Sequence, residues 1–189
     1  MKRTFIALDI IPDILLKEAI ETIRQKLRGE RISWTQTDSL HLTLKFLGDT
    51  PEEQIPLITK ALAQTIMPFS PFKINLEGIG VFKNIHDPRV LWVGCRVDNQ
   101  LPNLRDKIDS TLASLGFQNE TRDFSPHITL GRIKMIRQIY SLSEILTTYK
   151  NKVFQESLIN EVIFYESRLQ PAGAVYTVIE KFTAHPSQS

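Results

Sequence analysis

The chain carries one tetrapeptide pattern twice, His41-Leu42-Thr43-Leu44 and His127-Ile128-Thr129-Leu130, with starts 86 residues apart (127 − 41). Successive side chains on a strand point to opposite faces. Each pattern therefore presents an imidazole and a hydroxyl on one face and two apolar groups on the other. A fold that accepts both must back two polar-lined strands with core. Two related α+β lobes facing one another would do this, with a pseudo-twofold axis bringing both His-x-Thr units into one cleft. A single strand histidine is more often hydrogen-bonded structure than catalyst. The same pair in two matching strands, using half of the four histidines, reverses that preference.

The surrounding sequence alternates strand and helix signals. Residues 3–10 alternate, with Ile6, Leu8 and Ile10 on one face. Pro12 opens a helix whose stripe is Leu16, Ile20, Ile23 and Leu27, and Gly29 ends it. An extended piece at 32–34 leads to the strand 40–47, which holds the first motif. Thr50-Pro51-Glu52-Glu53 has the form of a capping box before a helix with the stripe Ile55, Ile58, Leu62 and Ile66, and Pro56 falls in its second turn. Strands are expected at 72–82 and 89–98, and a helix at 102–115 stopped by Gly116. The second motif lies in a strand at 125–133, followed by a short helix after Ser141. Two last strands are expected near 154–168 and 174–183, with a frayed tail AHPSQS. No Pro-, Gly- or Ser-rich linker divides the chain, so residues 1–189 read as one bilobal domain.

Composition narrows the function classes. Of 189 residues, 42% are hydrophobic and 23% charged, which excludes wholesale disorder. No apolar run is long enough for a membrane span, and the start MKRTFIALDI lacks the pattern of a signal peptide, so a cytoplasmic protein is expected. One cysteine cannot form an internal disulfide, and no Cys/His spacing fits zinc. The 23 basic and 21 acidic residues leave a charge of +2, which permits a nucleic-acid ligand without announcing one.

Two imidazoles facing across a cleft suit displacement at phosphorus. One can deprotonate the attacking oxygen while the other protonates the leaving oxygen on the opposite side. Threonine hydroxyls beside them can donate to the non-bridging oxygens. A strained cyclic phosphodiester needs no metal for this, and no carboxylate cluster lies near either motif. The spacing alone does not decide which histidine is acid and which is base.

The paired motifs resemble the signatures of the two-histidine (2H) phosphoesterase superfamily, and their flanks are similar to the LigT-like RNA 2′,3′-cyclic phosphodiesterases, also called 2′-5′ RNA ligases. Matching context includes the opening RTFIALDI, Trp34, Lys45-Phe46-Leu47-Gly48, Ser125-Pro126, Gly131-Arg132, Tyr165-Glu166-Ser167, Gly173 and Tyr176. The resemblance implies two antiparallel sheets flanked by helices around a central cleft. It implies His41 as proton donor, His127 as proton acceptor, and Thr43 and Thr129 as phosphate ligands. The implied activity opens a 2′,3′-cyclic phosphate at an RNA 3′ end to a 2′-phosphomonoester, without cofactor or metal. The implied partner is RNA with such an end, tRNA fragments among the candidates, and the expected state is a monomer.

Other residues divide less evenly. Lys45, two residues past Thr43, would share its face and reach phosphate, or else sit at a strand end in solvent. Arg132 lies opposite His127 under strict alternation, so a phosphate role requires a bulge at Gly131. Phe46 and Phe124 could stack a terminal base, although aromatics beside strands more often fill core. His86 reads as a loop residue, Cys95 as core, and His185 as tail; Arg132, Lys134 and Arg137 form a basic cluster that an RNA backbone leaving the cleft could use. Rival activities are a small cyclic nucleotide or 2′-5′-linked substrate, 2′-5′ ligation, and a non-catalytic RNA-end binding module.

Overall fold

A computed structural model describes residues 1–67, 69–121, 123–170 and 173–184. The elements are β1 (Lys2–Asp9), α1 (Ile14–Lys26), β2 (Arg31–Trp34), β3 (His41–Thr50), α2 (Ile55–Ile66), β4 (Phe72–Phe82), β5 (Val90–Arg96), α3 (Gln100–Ser114), β6 (His127–Met135), α4 (Ile139–Tyr149), β7 (Val153–Ile159), β8 (Glu161–Gln170) and β9 (Gly173–Thr183). The fold is α+β, and all strand pairings are antiparallel.

The strand order is β7-β4-β5-β6-β3-β1-β8-β9, with β2 added beside β6. Its centre is the junction of β6 and β3, which pair only at Leu42 and Ile128. Either side of that point stands a four-stranded lobe: β7-β4-β5-β6 and β3-β1-β8-β9. The two His-x-Thr strands are thus the innermost strand of each lobe and diverge after one residue pair. Hydrogen bonding joins into one sheet the two that the resemblance implies, with a lobe on either side of the junction. Beyond the junction, β2 takes the place beside β6 that β3 has left.

Helical stripes form as their spacing requires. Asp13 caps α1 by accepting the Leu16 amide, and Leu16, Ile20, Ile23 and Leu27 are buried. Ile58, Leu62 and Ile66 of α2 and Leu101, Leu104, Ile108 and Leu112 of α3 are buried likewise. Helices α1 and α4 pack on the first lobe, at β7 and β4; α2 and α3 pack on each other and on the second lobe. Each lobe is therefore covered by one helix from each half of the chain.

Three local expectations are corrected. Thr50 is not a helix cap: it ends β3, fully buried, with its hydroxyl bonded to that of Thr4 at 2.7 Å. A short 3₁₀ turn over Glu52–Gln54 intervenes, and Pro56 falls in the first turn of α2, where its missing N–H costs nothing. The expected strand 154–168 is two strands. It breaks at Asn160, where the chain leaves the edge of the first lobe (β7) and enters the second (β8). Of the tail AHPSQS, residues 185–189, including His185, lie outside the described residues.

Candidate active site

His41 and His127 are the first residues of β3 and β6. The antiparallel pair Leu42–Ile128 lies between them, so one imidazole projects from each strand on either side of the junction. Leu42 and Ile128 are fully buried, and the intervening motif positions His41, Thr43, His127 and Thr129 are half-buried on the opposite face. The alternation read from sequence is thus realised in both motifs.

Both rings are held in the same way. His41 Nδ1 lies 2.9 Å from the carbonyl of Ser39, and His127 Nδ1 lies 2.7 Å from that of Ser125. A carbonyl only accepts, so the proton sits on Nδ1 and the basic lone pair of the neutral ring is on Nε2. Aromatic edges fix the ring planes. Tyr176 packs edge-on to His41 at 4.9 Å and Phe82 edge-on to His127 at 4.6 Å, with Phe5 tilted against His41 at 5.1 Å. The Thr43 and Thr129 hydroxyls make no hydrogen bond among the described residues, which leaves them available to a ligand.

The residues after each motif are governed by a bulge. Against β5, Trp92 faces Thr129 but Leu91 faces Gly131, so Leu130 is the extra residue. Against β1, Ala7 faces Thr43 but Ile6 faces Lys45, so Leu44 is extra. The motif's last residue is bulged both times, and the next residue stays on the core side: Leu44 and Lys45 are buried, as are Leu130 and Gly131. The face occupied by the histidines is rejoined one residue later, by Phe46 and Arg132, both exposed.

Arg132 therefore stands on the histidine face. Its charge bears on both imidazoles and on the Tyr176 hydroxyl. Lys45 is the correction. It does not share the face of Thr43, because the bulge at Leu44 turns it through the sheet, where its ammonium is buried against the Asp109 carboxylate of α3 and the Gln118 carbonyl. Asp109 also accepts the Glu120 amide at 3.3 Å. Lys45 is a buried structural cation and not a phosphate ligand.

Both histidines titrate below the ordinary imidazole value, chiefly because burial disfavours the cation; the backbone carbonyl opposes this in each. Asp9 also opposes it at His41, and among the described residues no carboxylate does so at His127. Cys95 is buried in its strand, with its thiol pushed up to about 12 by desolvation, so it is a core residue. His86 lies in the β4–β5 loop, outside the pair, and Phe124 packs against the core under the Arg105 guanidinium.

A pair of pseudo-symmetric His-x-Thr strands meeting at one residue pair is a specific arrangement, and the sequence profile described as LigT like phosphoesterase matches residues 11–92 and 94–176. The chain belongs to the LigT-like phosphoesterase family. It is 34% identical over 180 residues to the RNA 2′,3′-cyclic phosphodiesterase of Methanocaldococcus jannaschii, covering 95% of this chain and 99% of that one. Its identity to the RNA 2′,3′-cyclic phosphodiesterase of Archaeoglobus fulgidus is 33% over 181 residues, 95% of this chain and 99% of the other. Among solved structures, the Thermus thermophilus protein TT0787 superposes with a TM-score of 0.79 at 27% identity, covering 98% of this chain and 100% of that chain.

In this LigT-like phosphoesterase, no group of three or more His, Cys, Asp or Glu among the described residues converges in a way that could hold a metal ion. No helix among them is long and apolar enough to cross a membrane. Two site features escaped the sequence. One is the aromatic clamp of Phe5, Phe82 and Tyr176. The other is Asp9, whose carboxylate accepts the Tyr165 hydroxyl beside His41. In β1, Phe5, Ala7 and Asp9 alternate with the core residues Ile6 and Leu8, and Phe5 and Ala7 fill a second buried cluster with Ile163 and Tyr165.

Proposed function

We propose that this chain hydrolyses the 2′,3′-cyclic phosphodiester at an RNA 3′ end and leaves a 2′-phosphomonoester. The observation that carries it is the pair of Nδ1-anchored imidazoles on strands joined only at Leu42–Ile128, each beside an unbonded threonine hydroxyl, with Arg132 on the same face. The relatives named RNA 2′,3′-cyclic phosphodiesterase support it.

In this mechanism His127 Nε2 takes a proton from water as the water oxygen bonds to phosphorus. The bond from phosphorus to the 3′-oxygen breaks on the opposite side, and that oxygen receives the proton of His41 Nε2. The histidines finish with exchanged protonation and reset through solvent. Thr43, Thr129 and Arg132 meet the charge on the non-bridging oxygens. Phe46, 51% exposed and equivalent by the bulge to Arg132, offers a ring face to the terminal base. Aromatic on one side and cation on the other, the cleft orients an asymmetric ring. One chain carries both histidines, so a monomer suffices, and cytoplasmic tRNA fragments with cyclic ends are within the substrate class.

The test is incubation with a 2′,3′-cyclic-phosphate oligoribonucleotide followed by analysis of its 3′ end. A 2′-phosphate product is expected. An unchanged cyclic end overturns the hydrolytic assignment, and a 2′-5′ joined product on adding 5′-hydroxyl RNA would reassign the direction to ligation.

A further inference from the structure

A strip of cations without ion pairs among the described residues runs outward from the histidine face along β2 and β6. Past the junction, β2 and β6 pair as Trp34–Gly131, Ser33–Arg132 and Ile32–Ile133; an irregularity then places Arg31 opposite Met135. Ile133 is buried and Ile32 packs against the core, so Ser33, Arg132, Arg31 and Lys134 turn to the other side, and all four are exposed. Arg31, Arg132 and Lys134 have no ion pair among the described residues. Nearby cations elsewhere share carboxylates: Lys2 and Arg168 both pair with Glu166, and Lys83 and Arg89 both pair with Asp87. On the second lobe, Arg3 is exposed as well and faces Asp49 in the β1–β3 register, without an ion pair to it. Among the described residues, Arg31, Arg132 and Lys134 thus form a row of three unpaired cations along β2 and β6 that a polyanion leaving the histidine face would meet.

The strip has the geometry of a single-strand track. Alternate residues of a strand are about two rises of ~3.4 Å apart, so Arg132 and Lys134 project at a separation comparable with successive phosphates of an extended chain. Ser33 adds a hydroxyl beside Arg132 on the neighbouring strand. Phosphate contacts of this kind set position and register without reading sequence.

We propose that Arg31 and Lys134, continuing from Arg132, hold the backbone phosphates of the nucleotides preceding the reacting 3′ end, so that the natural substrate is an RNA strand and not a mononucleotide. This rests on the phosphodiesterase assignment above. Neither residue touches the reacting phosphate.

The test compares wild type with Arg31→Gln/Lys134→Gln on two substrates, a cytidine 2′,3′-cyclic phosphate and an octaribonucleotide with the same end. Binding of the 2′-phosphorylated octamer is measured by fluorescence anisotropy across a salt series. The expected result is a kcat/KM loss of about tenfold on the octamer, with the mononucleotide unchanged. The slope of log affinity against log salt should become shallower by about 0.7 for each phosphate that the variant no longer neutralises. Equal losses on both substrates, or octamer binding and salt slope unchanged, overturn the track. If wild type hydrolyses neither substrate, the phosphodiesterase assignment fails, and the anisotropy series still decides whether the track binds RNA.

Discussion

Asp9 stands directly across from His41 where β1 pairs with β3, and its carboxylate accepts a hydrogen bond from the Tyr165 hydroxyl. His127 has no such partner: its cross-strand neighbour on β5 is Gly94. The two imidazoles share their anchoring, each tied by Nδ1 to a carbonyl two residues back and packed by an aromatic edge, while His41 also meets Phe5 and is the more buried. Asp9 is thus the one carboxylate among the described residues that bears on either ring, and it acts against the deeper burial of His41. A neighbouring anion favours imidazolium, which suits His41 to the acid and His127 to the base.

Asp9→Asn should accordingly lower the pH at which His41 titrates while leaving His127 in place. Two-dimensional proton–nitrogen spectra of the imidazoles measure both at once and need no substrate. Equal displacement of the two, or of neither, would deny Asp9 this role. Removing the Tyr165 hydroxyl with Tyr165→Phe frees the carboxylate and should shift His41 alone.

The shared face of each motif was legible in the sequence because strand alternation is local: His41 and Thr43 lie on one side whatever the strand pairs with. Helical stripes such as Leu16–Ile20–Ile23–Leu27 are local in the same sense. Lys45 and Arg132 were not legible by that rule, since a bulge is set by how two strands register, and β1 and β5 are distant in sequence from the motifs they pair with. Gly131 hinted at it. A Cβ there would come within 2.8 Å of Ile32, so the close strand approach demands glycine. The break at Asn160 was hidden for a related reason: apolar residues continue on both sides, and only the transfer between lobes ends one strand and begins another.

The pH dependence of kcat/KM should be bell-shaped and centred below the ordinary imidazole value of about 6.5. The reaction needs one histidine charged and one neutral, and burial depresses both. At neutral pH most free enzyme has both rings neutral, so activity falls as pH rises from the optimum for want of the acid. It falls on the acidic side as the base is protonated. Initial rates at low substrate from pH 4.5 to 9 measure this, and a maximum above pH 8 would contradict it.

Replacing His41 or His127 by Ala should each lower turnover by roughly 10²–10⁴-fold, the usual worth of a positioned acid or base. The double variant should lose little beyond the worse single one, because the two act in one proton exchange. Thermal melts should stay near wild type, since neither ring anchors the buried core. Near-wild-type turnover in either single variant would remove the two-histidine mechanism.

Lys45→Met separates structure from chemistry at the residue whose position the bulge decides. The Lys45 ammonium and the Asp109 carboxylate are both withdrawn from water between β3 and α3, with the Gln118 carbonyl and the Glu120 amide completing the cluster. Removing the cation leaves a largely buried carboxylate with only an amide to answer it, which costs about 3–5 kcal/mol of stability. Lys45→Met/Asp109→Leu removes both charges and keeps much of the volume, so it should recover most of that loss. Because the ammonium lies on the face away from His41, turnover per folded molecule should stay within about twofold of wild type for the single variant at a temperature where it is folded. Urea unfolding of the three proteins and kcat normalised to folded fraction measure both quantities. A large kcat loss in the stable double variant would return Lys45 to the phosphate site.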